Sequence, residues 1–163
     1  MASELGPILE ALYAGDRERA EALGAKTGDL NVFEASALGD TERLGELLRD
    51  EPELAHVWSP DGFTALHYAA FFGTPEAIRA LGAAGADLEA PARNLEFAPE
   101  ARSLHSAVAA GRADNAEALL EAGADPNARQ HGGFTPLMAA EQGGDLELAE
   151  LLIRHGAVAG GGA

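Results

Sequence analysis

Three stretches of this 163-residue chain carry the same landmarks in the same order. Thr64-Ala65-Leu66-His67 is followed by Gly73 and then by Gly85-Ala86-Asp87. Ser103-Leu104-His105, Gly111 and Gly123-Ala124-Asp125 repeat that order, and Thr135-Pro136-Leu137-Met138, Gly144 and Gly156-Ala157 repeat it again. The leucines at 66, 104 and 137 are 38 and 33 residues apart, and both glycine series keep those steps. Landmarks that shift together define an internal repeat. Such a unit buries little apolar surface alone, so the chain is restricted to an array in which each unit is stabilised by its neighbours.

Each landmark has a physical reason. Thr64 and Thr135 are good N-caps, whose hydroxyls accept from free amides of a first helical turn. Pro136 stands at the first helical position, where its missing N–H costs nothing. Leu66, Ala69 and Ala70 form an apolar stripe at helical spacing, small enough for close approach of neighbouring helices. Gly73 and Gly111 are expected to supply a left-handed or tight-turn conformation between two short antiparallel helices. The second helix of each unit is expected over 75–81, 113–120 and 146–153, ended by Gly85, Gly123 and Gly156.

Two further units fit upstream. Val32-Phe33-Glu34-Ala35-Ser36-Ala37-Leu38-Gly39 takes the same frame, with Gly39 lying 34 residues before Gly73. Its second helix is expected over 41–49, with Leu44, Leu47 and Leu48 on the packed side and Asp50-Glu51-Pro52 in place of the terminal glycine. Helices at 8–14 and 17–23 precede it. Gly15 lies only 24 residues before Gly39, too few for a full repeat, so this first pair reads as a cap.

A period near 33 with a T-P-L-H-x-A core is the wording of ankyrin repeats, and the chain resembles that family over most of its length. The resemblance implies an all-α solenoid with β-hairpin loops: four repeats behind an N-terminal helix-pair cap, in a single domain. The expected boundaries are 6–24 for the cap, 29–58, 59–91, 92–129 and 130–158 for the repeats, and 159–163 for a flexible tail. The third repeat carries an extended finger, because the 38-residue step places five extra residues between Asp87 and Leu104. Insertions in such arrays map to loops, often on the binding face; lengthening a loop also costs little, so a tolerated surface insertion is an equal alternative.

Chemistry is not announced anywhere along the chain. The histidines at 56, 67, 105, 131 and 155 stand singly, with no spacing that pairs two on one helical face. The resemblance assigns His67 and His105 a framework role, tying a helix start to the backbone of the adjacent repeat. Met138 takes that place in the fourth repeat, where the bonding should be weaker. No serine has a nucleophile-elbow context, and the glycine pairs at 132–133 and 143–144 lack a phosphate-binding lysine, since Lys26 is the only lysine. Without cysteine there is no disulfide framework and no sulfur-based zinc site. No enzyme, cofactor or metal is expected, and a cryptic enzyme or small-molecule binder is the least favoured alternative.

Recognition by surface remains, and the resemblance says where. The variable positions of such a stack are the hairpin residues and the pair before each central glycine, which line a concave groove. Here those pairs are Ala37-Leu38, Phe71-Phe72, Ala109-Ala110 and Gln142-Gly143. The candidate binding residues are therefore Trp58, Asp61 and Phe63 ahead of the second repeat, Phe71 and Phe72, Phe97 and Arg102 of the finger, His131 and Phe134 ahead of the fourth repeat, and Gln142. Adjacent phenylalanines cannot both face the interior of a short helix. Either one packs between repeats and the other against the long finger, or at least one anchors a partner in the groove.

Charge narrows the partner. With 11 Lys+Arg against 27 Asp+Glu, the formal net charge is −16, which repels nucleic acid and anionic membrane surfaces and favours a basic or neutral protein. The first residues lack the pattern of a signal peptide, and no apolar run approaches the roughly 20 residues that span a bilayer, so a cytoplasmic location is expected. The Ala- and Arg-rich, Lys-poor usage suggests a GC-rich, bacterial genome. Leu151-Leu152-Ile153 stays as apolar as an internal repeat although little chain follows. Either the Ala/Gly tail covers that end, or it pairs with another copy in a monomer–weak oligomer equilibrium, or the chain is cut from a longer protein.

Overall fold

The computed structural model describes residues 4–159. Its helices form five antiparallel pairs: α1 (Pro7–Tyr13) and α2 (Arg17–Thr27), α3 (Val32–Leu38) and α4 (Thr41–Asp50), α5 (Ala65–Phe72) and α6 (Pro75–Ala83), α7 (Ser103–Ala109) and α8 (Ala113–Ala122), α9 (Pro136–Gln142) and α10 (Leu146–Arg154). First helices stack in one layer, α3 on α5 on α7 on α9, and second helices stack in another, α4 on α6 on α8 on α10. The α1/α2 pair closes the first end of the stack against α3. None of these helices is long and apolar enough to cross a membrane.

The repeat landmarks do the same work in each unit. Leu66, Leu104 and Leu137 are each 1% exposed, and each such burial contributes about 2 kcal/mol. Thr64 and Thr135 accept from the amides of His67 and Met138 at 3.4 and 3.2 Å. The third repeat has Arg102 at that place and no hydroxyl cap, and keeps only the bond from the amide of that residue to Nδ1 of His105, at 3.1 Å. Gly111 ends its turn with φ +68°, as expected of a left-handed position. Gly73 does not: its φ is −91°, and the glycine is required by proximity. A Cβ there would lie 2.3 Å from the Ser36 carbonyl oxygen of the preceding repeat.

Several boundaries differ from expectation. Helix α2 continues to Thr27 before Gly28 ends it at φ +66°, and a short 3-10 turn over Pro52–His56 follows α4. The β-hairpin loops are reduced to single pairings, and no strand forms among the described residues. Trp58 and Thr64 make an isolated antiparallel bridge, with the Ser59 amide donating to Phe63 O at 2.8 Å. Ala92 and Ala101 pair across the base of the finger, and Gln130 pairs with Phe134. Arms this short hold too few ladder hydrogen bonds to propagate into strands.

At the last repeat Leu151 and Leu152 are buried, while Ile153 is 54% and Leu146 is 76% exposed. The chain leaving α10 is held by Asn127, whose side chain donates to Gly156 O at 3.1 Å and accepts from the Val158 amide at 2.9 Å. Residues 160–163, most of the expected flexible tail, lie outside the described part.

Candidate functional site

The fingers and the inner helices enclose an open cavity of ≈ 650 Å³. Its position follows from the second repeat. Helix α5 buries Leu66, Ala69 and Ala70 against its neighbours, which turns Phe71 and Phe72 toward the finger side at its last turn. Phe72 is half-buried, with its ring edge-on to Tyr13 of the cap at a centroid distance of 5.4 Å. Phe71 stands beside it at 4.7 Å and is 39% exposed. Phe63 closes another side and packs edge-on against Tyr68 at 6.2 Å.

One carboxylate sits among these rings. Asp61 Oδ2 accepts from Tyr13 OH at 2.5 Å, and Oδ1 accepts from Tyr68 OH at 2.5 Å and from the Ser59 hydroxyl. Both phenols are pushed far above their ordinary range, chiefly by burial and then by their bonds to the Asp61 carboxylate, so they remain donors. The network joins the cap, the 58–64 loop and α5.

The long finger forms the opposite wall. Asn94 donates to Asp61 O at 2.9 Å and accepts from the amides of Glu96 and Phe97 at 3.1 and 2.7 Å. Below it, the Arg93 amide donates to Gly62 O at 2.8 Å. A Cβ on Gly62 would meet the Asn94 amide nitrogen at 2.6 Å, so only glycine allows the finger to lie this close. Thus held, the finger presents Phe97 at the cavity mouth, 79% exposed.

His67 and His105 form part of the cavity wall. His67 Nδ1 accepts from the Thr64 amide at 3.1 Å, and its Nε2 donates to Ala101 O at 2.8 Å. His105 repeats the arrangement, with Nε2 donating to Phe134 O at 3.1 Å. These are the inter-repeat ties that the resemblance implied. Burial lowers the His67 pKa from 6.5 to about 4 and lowers that of His105 as well, so both are neutral at pH 7. Met138 offers no ring nitrogen, and only the Thr135 cap remains in the fourth repeat.

Five of the ten candidate residues, Asp61, Phe63, Phe71, Phe72 and Phe97, line this cavity. The other five lie elsewhere. Trp58 is covered by the Arg93 guanidinium, whose carbon is 3.5 Å from the ring centroid, and its indole N–H donates to Pro91 O at 3.2 Å. The Arg102 guanidinium donates to the Glu100 carbonyl of its own finger. His131 braces the finger through its amide, which donates to Pro99 O at 3.1 Å. Phe134 contributes its carbonyl to His105, and Gln142 is exposed at the end of α9.

Tyr13 and Tyr68 were not among the candidates. Tyr13 had a signal, because Tyr13-Ala14 precedes Gly15 as Phe71-Phe72 precedes Gly73. Tyr68 had none, being a buried helix residue like its neighbours. Among the described residues no three His, Cys, Asp or Glu side chains are grouped to hold a metal ion.

Comparison with known proteins gives the same picture of the fold. A profile of ankyrin repeats in three copies matches residues 32–130 and 104–161. SH3 and multiple ankyrin repeat domains protein 1 of Mus musculus is 33% identical over 147 residues, which is 89% of this chain and 7% of that protein. NF-kappa-B inhibitor alpha of Gallus gallus is 36% identical over 115 residues, 66% of this chain and 35% of that one. Cyclin-dependent kinase inhibitor 2A of Homo sapiens is 43% identical over 67 residues, 41% of this chain and 42% of the relative. The chain therefore spans less than half the length of each of these relatives.

Proposed function

Since this chain belongs to the ankyrin repeat family, we propose that it is a non-catalytic binding module that seats a protein partner in the aromatic cavity between its fingers and inner helices. The observation that carries the reading is the grouping of Phe63, Phe71, Phe72, Phe97 and Tyr13 around one open space. Aromatic side chains dominate interface energetics, and a finger already ordered by Asn94 and Gly62 loses little entropy on binding. Two relatives are named as inhibitors of other proteins, which supports a protein as the ligand.

His67 and His105 are not poised for turnover. Each has Nδ1 and Nε2 engaged by backbone groups and is held neutral by burial, which leaves neither free to move a proton. A net charge of −16 favours a basic or neutral partner, and association with a basic one would be slowed by salt.

The test is comparative affinity capture from a lysate of the native host, with wild type and Phe71→Asp as baits. A protein held by wild type and lost by the variant supports the cavity. Equal recovery on both baits removes Phe71 from the interface.

A second reading is self-association through the last repeat. It is favoured by Leu146 and Ile153, two large apolar side chains exposed on α10. A mass that rises with concentration for wild type, and stays monomeric for Leu146→Lys/Ile153→Lys, is its expected result.

A further inference from the structure

We propose that the aromatic cavity takes a lysine side chain of the partner, with its ammonium group against Asp61 Oδ2 and its methylene stem along Phe71, Phe72 and Phe97. This deepens the binding reading above and rests on it.

Three observations lead to the occupant. The first is charge. Among the described residues Asp61 is the only Asp, Glu, Lys or Arg in the cavity lining, and the two lining imidazoles are neutral, so the carboxylate faces no cation there, within a chain of net charge −16. The second is the surrounding surface. Six aromatic rings line the same space, and their faces attract a cation as well as covering an alkyl chain. A purely apolar occupant would leave the carboxylate desolvated without a new partner, which is costly.

The third observation separates lysine from arginine. Among the described residues, Asp61 Oδ1 already accepts from Tyr68 and Ser59, whereas Oδ2 accepts from Tyr13 alone. A carboxylate oxygen has two lone pairs, so one acceptor position remains and it lies on Oδ2. The guanidinium fork binds a carboxylate best through both oxygens at once, which this arrangement denies it. An ammonium group needs a single acceptor and can turn its remaining N–H bonds to water or to a ring face.

The experiment is a titration of the 15N-labelled chain, followed by amide chemical shifts, with three capped pentapeptides: acetyl-Gly-Gly-X-Gly-Gly-amide, where X is lysine, norleucine or arginine. Norleucine keeps an apolar stem and lacks the charge. The lysine peptide is expected to shift Asp61, Tyr68, Phe71 and Phe72 in a saturable way, with an affinity about tenfold above that of norleucine, the scale of one charge-assisted hydrogen bond. It is also expected to exceed arginine. Asp61→Asn keeps an oxygen for the phenols and should abolish the preference for lysine over norleucine.

Norleucine binding as well as lysine overturns the proposal, as does a lysine preference that survives in Asp61→Asn. Arginine binding tighter than lysine overturns the choice of cation. If no peptide shifts the cavity while Phe71→Asp still loses a captured partner, the lysine inference fails and the binding reading stands. If the lysine peptide binds but capture is equal on both baits, the subsite is upheld and the protein-docking role of Phe71 fails.

Discussion

The Nε2 atom of His67 lies 2.8 Å from the carbonyl oxygen of Ala101, so an imidazole of the second repeat fixes the returning arm of the finger that follows it. The bond needs a proton on Nε2 and a lone pair on Nδ1, which accepts from the Thr64 amide. Only the neutral ring provides both.

Stability should consequently depend on pH through this residue. Its pKa is about 4 in the fold against 6.5 for the free side chain, so the unfolded chain binds the extra proton between those values. The contribution is complete above pH 6.5 and is lost as pH falls through 4. Urea denaturation at pH 7 and pH 5 should show a drop of about 2 kcal/mol from His67, with His105 adding in the same direction. A His67→Gln variant should lose most of that dependence, and an unchanged pH slope in the variant contradicts the assignment.

Gly73 and Gly111 occupy equivalent turns for different reasons, and alanine should separate them. At Gly73 the added Cβ meets backbone, the Ser36 carbonyl oxygen at 2.3 Å and the Ala69 carbonyl oxygen at 2.9 Å, so α3 and α5 must move apart. The expected cost is about 3 kcal/mol, the upper range for overpacking. Nothing lies within 4 Å of a Cβ on Gly111, and only its φ of +68° is penalised, at about 1 kcal/mol. Thermal denaturation of the two variants measures the difference.

Asn115 is buried in α8 and its amide group donates to the carbonyls of Ala69, Ala70 and Gly73, the orphaned end of α5. Asn115→Leu keeps the volume and removes the donor. A loss of about 2 kcal/mol is expected in chemical denaturation, because the Ala70 carbonyl loses its donor, whereas those of Ala69 and Gly73 keep the Gly73 amide and Arg112. Loss of backbone protection in hydrogen exchange should concentrate at the α5–α6 turn.

Phe71 and Phe72 should also part company. Phe72 packs on Tyr13 and shields the phenol–carboxylate network, so Phe72→Ala is expected to cost about 2 kcal/mol of stability. Phe71 is more open, and Phe71→Ala should cost under about 1 kcal/mol while weakening partner capture. Equal stability losses would contradict this division of roles.

The repeat character of the array was legible in the sequence because its determinants are local. Thr64 and Thr135 cap the helix beside them, Pro136 suits the first helical turn, and Gly111 adopts a conformation that its own missing Cβ permits. The repeat copies those local rules at a fixed step, so the family and the two-layer stack follow. The inter-repeat bonds of His67 and His105 were readable too, since stacking brings every copy to the same neighbour.

The cavity was legible only in part. Half of the candidates line it, because position before a central glycine or on a finger says which side of the stack a residue faces. What position cannot say is which neighbour reaches the same space. Trp58 is covered by Arg93, a residue 35 positions later, and Tyr13 reaches Asp61 across 48 positions. Gly73 likewise appears in the sequence as a turn glycine, yet it is required by a carbonyl 37 residues earlier. The sequence by itself determined the units, their order and the side they present, since each depends on hydrogen bonds and periodicity within a few residues. The tertiary structure alone decided the enclosed aromatic space, the finger's seat on Gly62 and the single open lone pair of Asp61, because these are set by distances between residues that the chain separates widely.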